Sequence, residues 1–312
     1  MRAVRRRQIL GGAFAAAVTG ALAGTATAAP RTTAAPGVTA GQAPGGVPGL
    51  AGFRRLEERY GARLGVLATE LGSGRTVGHR TGERFAVCST FKTYAVAGLL
   101  REHPLASGWF ERRVPVRAAD IVKNSPVTEA AVGGTLSVRE LCDAAVRQSD
   151  NTATNLLLRL QGGPGAVISL ARAIGDPATR IDHWEPHLGD NEPDDPRDTT
   201  TPAALAHGYR ALVLGSALRA PERRQLRDWL VRSTTGDTLL RAGLPDTWTT
   251  GDKSGAGSSY GRRNDVAVSW TPTGTPLLIT ALSDKQDRDA THDDALLADT
   301  ARLVARALRP RE

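Results

Sequence analysis

The 312-residue chain is short of lysine, cysteine and aromatic residues, and no long apolar run appears beyond Leu50. The last absence leaves nothing in the body of the chain to span a membrane, so that body is expected to be soluble. Two cysteines, Cys88 and Cys142, suffice for one disulfide at most. A chain of this length buries a sizeable core without disulfides or metals. Aromatic residues make up 4% of the sequence and nowhere interleave with a basic run, which excludes a nucleic-acid surface. The formal charge of +8 does not argue otherwise, because Arg2, Arg5, Arg6 and Arg7 supply half of it. Lysine occurs only at Lys92, Lys123, Lys253 and Lys285, and every other fixed cation is arginine. Lysine can lose its proton in a suitable site and arginine effectively cannot. Each of the four lysines is therefore a candidate for chemistry.

The N-terminus reads as an export signal over residues 1–28. Arg6-Arg7-Gln8-Ile9-Leu10 has the form of a twin-arginine motif, an alanine-rich apolar stretch follows, and Ala26-Thr27-Ala28 offers a small-residue cleavage site. Residues 29–50, rich in Pro, Gly, Ala and Thr, read as a flexible linker. The expected location is outside the cytoplasm, secreted or periplasmic, with no membrane attachment after cleavage.

Periodicity divides residues 51–312 into three stretches. A helix over 53–60 and two strands over 63–70 and 76–79, joined at Leu71-Gly72-Ser73-Gly74, come first. Helical patterns follow at 91–101, 138–147, 152–160, 165–174, 202–214 and 221–231. Strands then return at 249–253, 265–271 and 276–283, before a last helix at 293–308. The predicted fold class is α+β. An α/β sandwich (about 51–83 and 232–312) has an antiparallel sheet flanked by the terminal helices, and an all-α domain (about 84–231) is inserted into it, with the active site at the seam.

Three short motifs carry chemistry. In Ser89-Thr90-Phe91-Lys92 the serine stands at a helix start with the lysine one turn on, so a base lies within reach of a hydroxyl that needs one. The plain alternative makes Ser89 a helix cap and Lys92 a solvated charge. In Ser149-Asp150-Asn151 either acid or amide could simply cap the next helix. In Lys253-Ser254-Gly255, followed by Ala256-Gly257, glycine stands inside a strand, where it is normally avoided unless something approaches closely.

Taken in order, Ser-x-x-Lys, Ser-Asp-Asn and Lys-Ser-Gly resemble the signature shared by class A β-lactamases and penicillin-binding proteins. A fourth segment, Arg180 to Leu188 with Trp184-Glu185-Pro186 at its centre, followed by Pro196-Arg197-Asp198-Thr199-Thr200, is similar to the Ω-loop of the class A enzymes. The resemblance covers about residues 50–310 and implies hydrolysis of β-lactams by a monomer without cofactor or metal. It implies Ser89 as nucleophile, with Lys92 or Glu185 taking its proton. Ser149 would be the proton donor to the leaving nitrogen, and the Ser89 and Ala256 N–H groups the oxyanion hole. Glu185 would activate water for deacylation. Asn151, Lys253, Ser254, Gly255 and Arg262 would bind substrate, while Asn155 and Asp198 would support the loop. A D,D-peptidase or an acyl-trapping sensor shares the first three motifs but lacks the Ω-loop carboxylate.

Four positions depart from the family pattern. His183 stands where an arginine usually pairs with Asp198, Gly189 where an asparagine often helps to hold water, and Asn124 where an aromatic residue lines the cleft. Cys88 precedes the nucleophile as in some carbapenem-hydrolysing members, but Gly257 offers no partner for their bridge. Cys88 and Cys142 are expected to be buried, unpaired thiols. His183 and His187 flank Glu185 without a third ligand, so no zinc site is predicted.

Overall fold

The computed structural model describes residues 48–309, so the export segment, residues 29–47 of the linker and residues 310–312 lie outside the described residues. In chain order the elements are α1 (Pro48–Tyr60), β1 (Arg63–Glu70), β2 (Thr76–His79), β3 (Phe85–Ala86), α2 (Lys92–Glu102), β4 (Arg113–Pro115), α3 (Pro126–Ala130), β5 (Thr135–Ser137), α4 (Val138–Arg147) and α5 (Asn151–Leu160). Then come α6 (Gly165–Ala173), β6 (Thr199–Thr200), α7 (Pro202–Tyr209), α8 (Ala220–Val231), β7 (Thr249–Ala256), β8 (Arg263–Trp270), β9 (Pro276–Asp284) and α9 (Asp294–Leu308). The linker assignment ran slightly long, because helix α1 already begins at Pro48.

Five strands form one antiparallel sheet in the order β2-β1-β9-β8-β7. Period-two alternation gives it two buried faces. Leu64, Val66, Ala68, Ala267, Leu277, Ile279 and Ala281 pack with Phe53 of α1 and Leu296, Leu297, Ala301 and Val304 of α9. The neighbours Val266, Val268, Leu278 and Leu282 point the other way, into a core shared with α2, α4, α5, α7 and α8. The helical region is not purely helical: β4 pairs with β5, and β3 pairs with β6, as two small ladders.

Local chemistry sets the helix starts. Ser137 and Glu140 close a capping box at α4, and Thr201 caps α7 ahead of Pro202. Asp150 caps α5 through Ala153 N at 2.8 Å and also accepts from Val127 N (2.9 Å), Thr128 N (2.9 Å) and Thr128 Oγ1 (2.8 Å). It is fully buried, and these four bonds tie the start of α5 to the start of α3. Asp150→Ala would strand buried donors at both helix ends, at a cost of about 3 kcal/mol. For a chain of this size that lowers Tm by roughly 6–12 °C in a thermal melt, and an unchanged Tm would contradict the cap.

Candidate active site

The residue before the nucleophile candidate has a left-handed backbone, Cys88 at φ 46°, and a 3₁₀ turn over Cys88–Phe91 leads into α2. Ser89 is inside that turn and does not cap it. The entry is fixed from outside: Thr90 Oγ1 donates to Val87 O (2.6 Å), Tyr209 Oη to Thr90 O (2.8 Å) and Asn264 Nδ2 to Ala86 O (2.7 Å). Ser149 also has a positive φ, at 57°. Such conformations cost about 1–3 kcal/mol each and persist where the surroundings impose them.

Lys92, one turn on, is fully buried rather than solvated. Its Nζ donates to Ser149 O at 2.7 Å and to Ser149 Oγ at 3.4 Å, and bonds Asn151 Oδ1. Glu185 Oε1 lies 3.1 Å away and completes an ion pair with it. Burial pushes the Lys92 ammonium below its ordinary range, and the Glu185 carboxylate opposes that shift. Asn151 Nδ2 in turn donates to Lys123 O (2.9 Å). The backbone of Glu185 is held on both sides by one amide: Asn155 Nδ2 donates to its O (2.9 Å), and its N donates to Asn155 Oδ1 (3.0 Å).

The edge strand β7 forms the opposite wall. A Cβ on Gly255 would lie 3.0 Å from Cys88 Cβ and 3.1 Å from Ser89 N, so only glycine lets the strand lie against the Ser89 peptide. Lys253 is fully buried, with Nζ on Ser254 O at 2.9 Å, while Ser254 Oγ donates to Thr235 Oγ1 at 2.7 Å. Burial, then repulsion from Lys92, lowers Lys253 to about 7, partly offset by Asp252 and Asp265. Those two acids are buried on the far face of the strands, and burial raises both of them.

The long loop carrying Glu185 closes at a narrow neck. Arg180 makes two bonds to Asp182 (2.9 and 2.6 Å), and Asp198 Oδ1 accepts from Asp182 N (2.6 Å) and His183 N (3.1 Å). His183 Nδ1 stands 2.5 Å from Asp198 Oδ2. At the position where the family pattern has an arginine, the neck is thus closed by an imidazole.

Ser89, Ser149, Asn151, Glu185, Ser254, Gly255 and Ala256 line a single cleft of about 900 Å³, together with Lys123, Asn124, Thr235 and Arg263. Lys92 and Lys253 stand just behind its walls. Arg262, expected at the substrate, does not border it. It is 3% exposed, turned under the loop, and bonds Gly189 O and Asn191 O. The reason is strand parity. Strand β8 begins at Arg263, opposite Ala256, so the cation that reaches the cleft is Arg263, steadied by Asp294 at 2.7 Å. Two adjacent arginines gave no signal in the sequence for choosing between them. A larger cavity of about 1170 Å³ lies behind the loop, but of the residues expected to act on or support the site only Arg262 borders it. Among the described residues no group of three or more His, Cys, Asp and Glu could hold a metal ion.

The description "Beta-lactamase enzyme family" belongs to a family model that matches residues 51–308. The chain belongs to that family. It is 54% identical over 256 residues to the β-lactamase AST-1 of Nocardia asteroides, covering 82% of each chain. To β-lactamase FAR-1 of Nocardia farcinica it is 52% identical over 259 residues, covering 83% of this chain and 82% of the relative. Among solved structures, an ancestral class A β-lactamase superposes with a TM-score of 0.79 at 46% identity, over 83% of this chain and 100% of the other. The fold is accordingly that of the class A β-lactamases, an α/β domain with an all-α domain.

Both cysteines of this β-lactamase-family chain are free and buried. Burial pushes the Cys88 thiol up to about 12 and Cys142 higher still, so neither forms thiolate at neutral pH. A thiol-reactive chromogenic disulfide at pH 7.5 is expected to release no colour from the native protein and two equivalents after unfolding. One fast equivalent from the folded protein would contradict the burial of Cys88.

Proposed function

We propose that this chain hydrolyses β-lactam antibiotics through an ester on Ser89. The observation that carries the proposal is the Glu185 carboxylate, which lines the same cleft as Ser89 and stands 3.1 Å from Lys92. Substrate carboxylate is bound by Lys253, Ser254 and Arg263 along β7 and β8, and the acylamino group by Asn151. Ser89 Oγ attacks the lactam carbonyl, its proton passing to the Lys92–Glu185 pair. The Ser89 and Ala256 N–H groups stabilise the oxyanion. The C–N bond breaks as Ser149 protonates the nitrogen. Glu185 then takes a proton from water, which attacks the ester and frees Ser89. No cofactor enters the scheme. The D,D-peptidase alternative has no use for a carboxylate at this position.

Export belongs to the same proposal, with residues 1–28 as a twin-arginine signal, residues 29–47 as linker, and the remainder acting as a monomer. The arginine pair and the small-residue site at Ala26-Thr27-Ala28 support it. Among the described residues no helix is long and apolar enough to cross a membrane.

Mixing the mature protein with a chromogenic cephalosporin, while recording intact mass, tests the reaction. Sustained hydrolysis is expected. Glu185→Ala should instead accumulate a stoichiometric adduct on Ser89, with turnover reduced about a hundredfold or more, as for loss of a general base. An adduct without turnover in the parent protein would favour the peptidase or sensor.

Lys253 supplies a pH test. Protonated below about 7, it attracts the substrate carboxylate; as pH rises it goes neutral. The ratio kcat/KM should therefore fall on the alkaline side with an apparent pKa near 7, while bound substrate moves the limb in kcat upward. A flat kcat/KM profile from about pH 6 to 9 would rule out that role for Lys253.

A further inference from the structure

The turn between β7 and β8 grips the outer limb of the Ω-loop at alternate residues. Ser258 Oγ bonds Asp190, Tyr260 Oη bonds Glu192, and Arg262 bonds the carbonyls of Gly189 and Asn191. Arg262 Nη1 also reaches Asn191 Oδ1 at 3.4 Å. These grips are unequal. The Ser258 link is exposed to water, which makes such a contact weak. Arg262 is buried, and its planar fork places two donors on two carbonyls of one loop at once.

The surroundings of Arg262 leave it little freedom. A Cβ on Gly257 would lie 2.9 Å from Arg262 Cδ, 3.0 Å from its Cβ and 3.0 Å from Gly189 O. A Cβ on Gly189, whose φ is +94°, would lie 3.1 Å from Cys88 Sγ and 3.7 Å from Gly257 Cα. Loop backbone, strand end and the residue preceding Ser89 are thus stacked with no side chain between them. Gly189, where the loop comes closest to Cys88, is held through its carbonyl by Arg262. Glu185, four residues upstream, is pinned by Asn155. The stretch between carries the carboxylate and is fixed at both ends.

We infer that Arg262 is a positioning residue for deacylation: by holding Gly189 and Asn191 it sets the gap between Glu185 and the ester on Ser89, where water must fit. The inference rests on the deacylating role proposed above for Glu185. Acylation needs Ser89, the oxyanion donors and the Lys92 end of the Lys92–Glu185 pair, none of which hydrogen-bonds Arg262, whereas only deacylation needs a water between Glu185 and the ester. Loss of the grip should therefore slow one step and spare the other.

The test compares Arg262→Lys, which keeps the charge but loses the fork, with Arg262→Ala and with Glu185→Ala. Rapid mixing with a chromogenic cephalosporin, read by absorbance and intact mass, gives acylation and deacylation rates separately. In Arg262→Lys deacylation is expected to fall about tenfold or more, the scale of a small misplacement, with acylation within about twofold of the parent and an adduct now visible on Ser89. Should Arg262→Ala fail to fold, the lysine variant decides alone. Equal losses in both steps, or a lower Tm with the ratio of rates unchanged, would overturn the inference and assign Arg262 to stability only. If Glu185→Ala traps the adduct and Arg262→Lys does not, this inference fails while the Glu185 reading stands. If Glu185→Ala turns over undiminished, the Glu185 reading fails and the inference falls with it.

Discussion

The site is organised around one buried ammonium group. Removing a charge of that size from water costs several kcal/mol even after the protein relaxes, and the cost is offset only if the ion is surrounded by well-placed acceptors. Lys92 finds them at three residues on two stretches far apart in the chain: Ser149 and Asn151 where α5 begins, and Glu185 on the Ω-loop. Each residue is held by its own support, Asp150 beneath the turn, Lys123 O behind Asn151, and Asn155 on the backbone of Glu185. Displacing any of the three would leave a buried charge short of a partner, which is the costly outcome. The demand of one cation thus fixes the relative positions of residues 92, 149, 151 and 185.

Much of this was legible in the sequence because it follows from periodicity and from residue chemistry. Strands at 63–70 and 76–79 and the helix at 138–147 fall where alternation and three- and four-residue spacing place them. The motif residues were found because each needs a side chain of one kind. What stayed hidden has a common cause, which is register. The ladders β3–β6 and β4–β5 are two and three residues long, too short for alternation to show. The role of the paired arginines depended on where β8 begins, and a shift of one residue sends a side chain to the opposite face. The strand was expected from 265, two residues late, so its alternation said nothing about which of Arg262 and Arg263 faces the cleft.

Burial was the second hidden quantity. Nothing in Ser-x-x-Lys says that the lysine is inaccessible, and nothing in Lys-Ser-Gly says that Lys253 is as well. Burial lowers both lysines as ammonium ions, Lys92 lowers Lys253 further, and Asp252 and Asp265 on the far face of the sheet moderate the effect at Lys253. The scarcity of lysine in the chain is in keeping with this arrangement, because arginine in either place would keep its proton whatever its surroundings.

The smallest sheet in the molecule has a mechanical meaning. Phe85 and Ala86 pair with Thr200 and Thr199, and Val87 N donates to Asp198 O at 2.8 Å. The chain entering the nucleophile turn and the chain leaving the Ω-loop are therefore one splice, three residues long. A twist applied to the loop at its exit is delivered to the peptide two residues before Ser89. The two halves of the reaction, forming the ester and clearing it, hang from a common hinge.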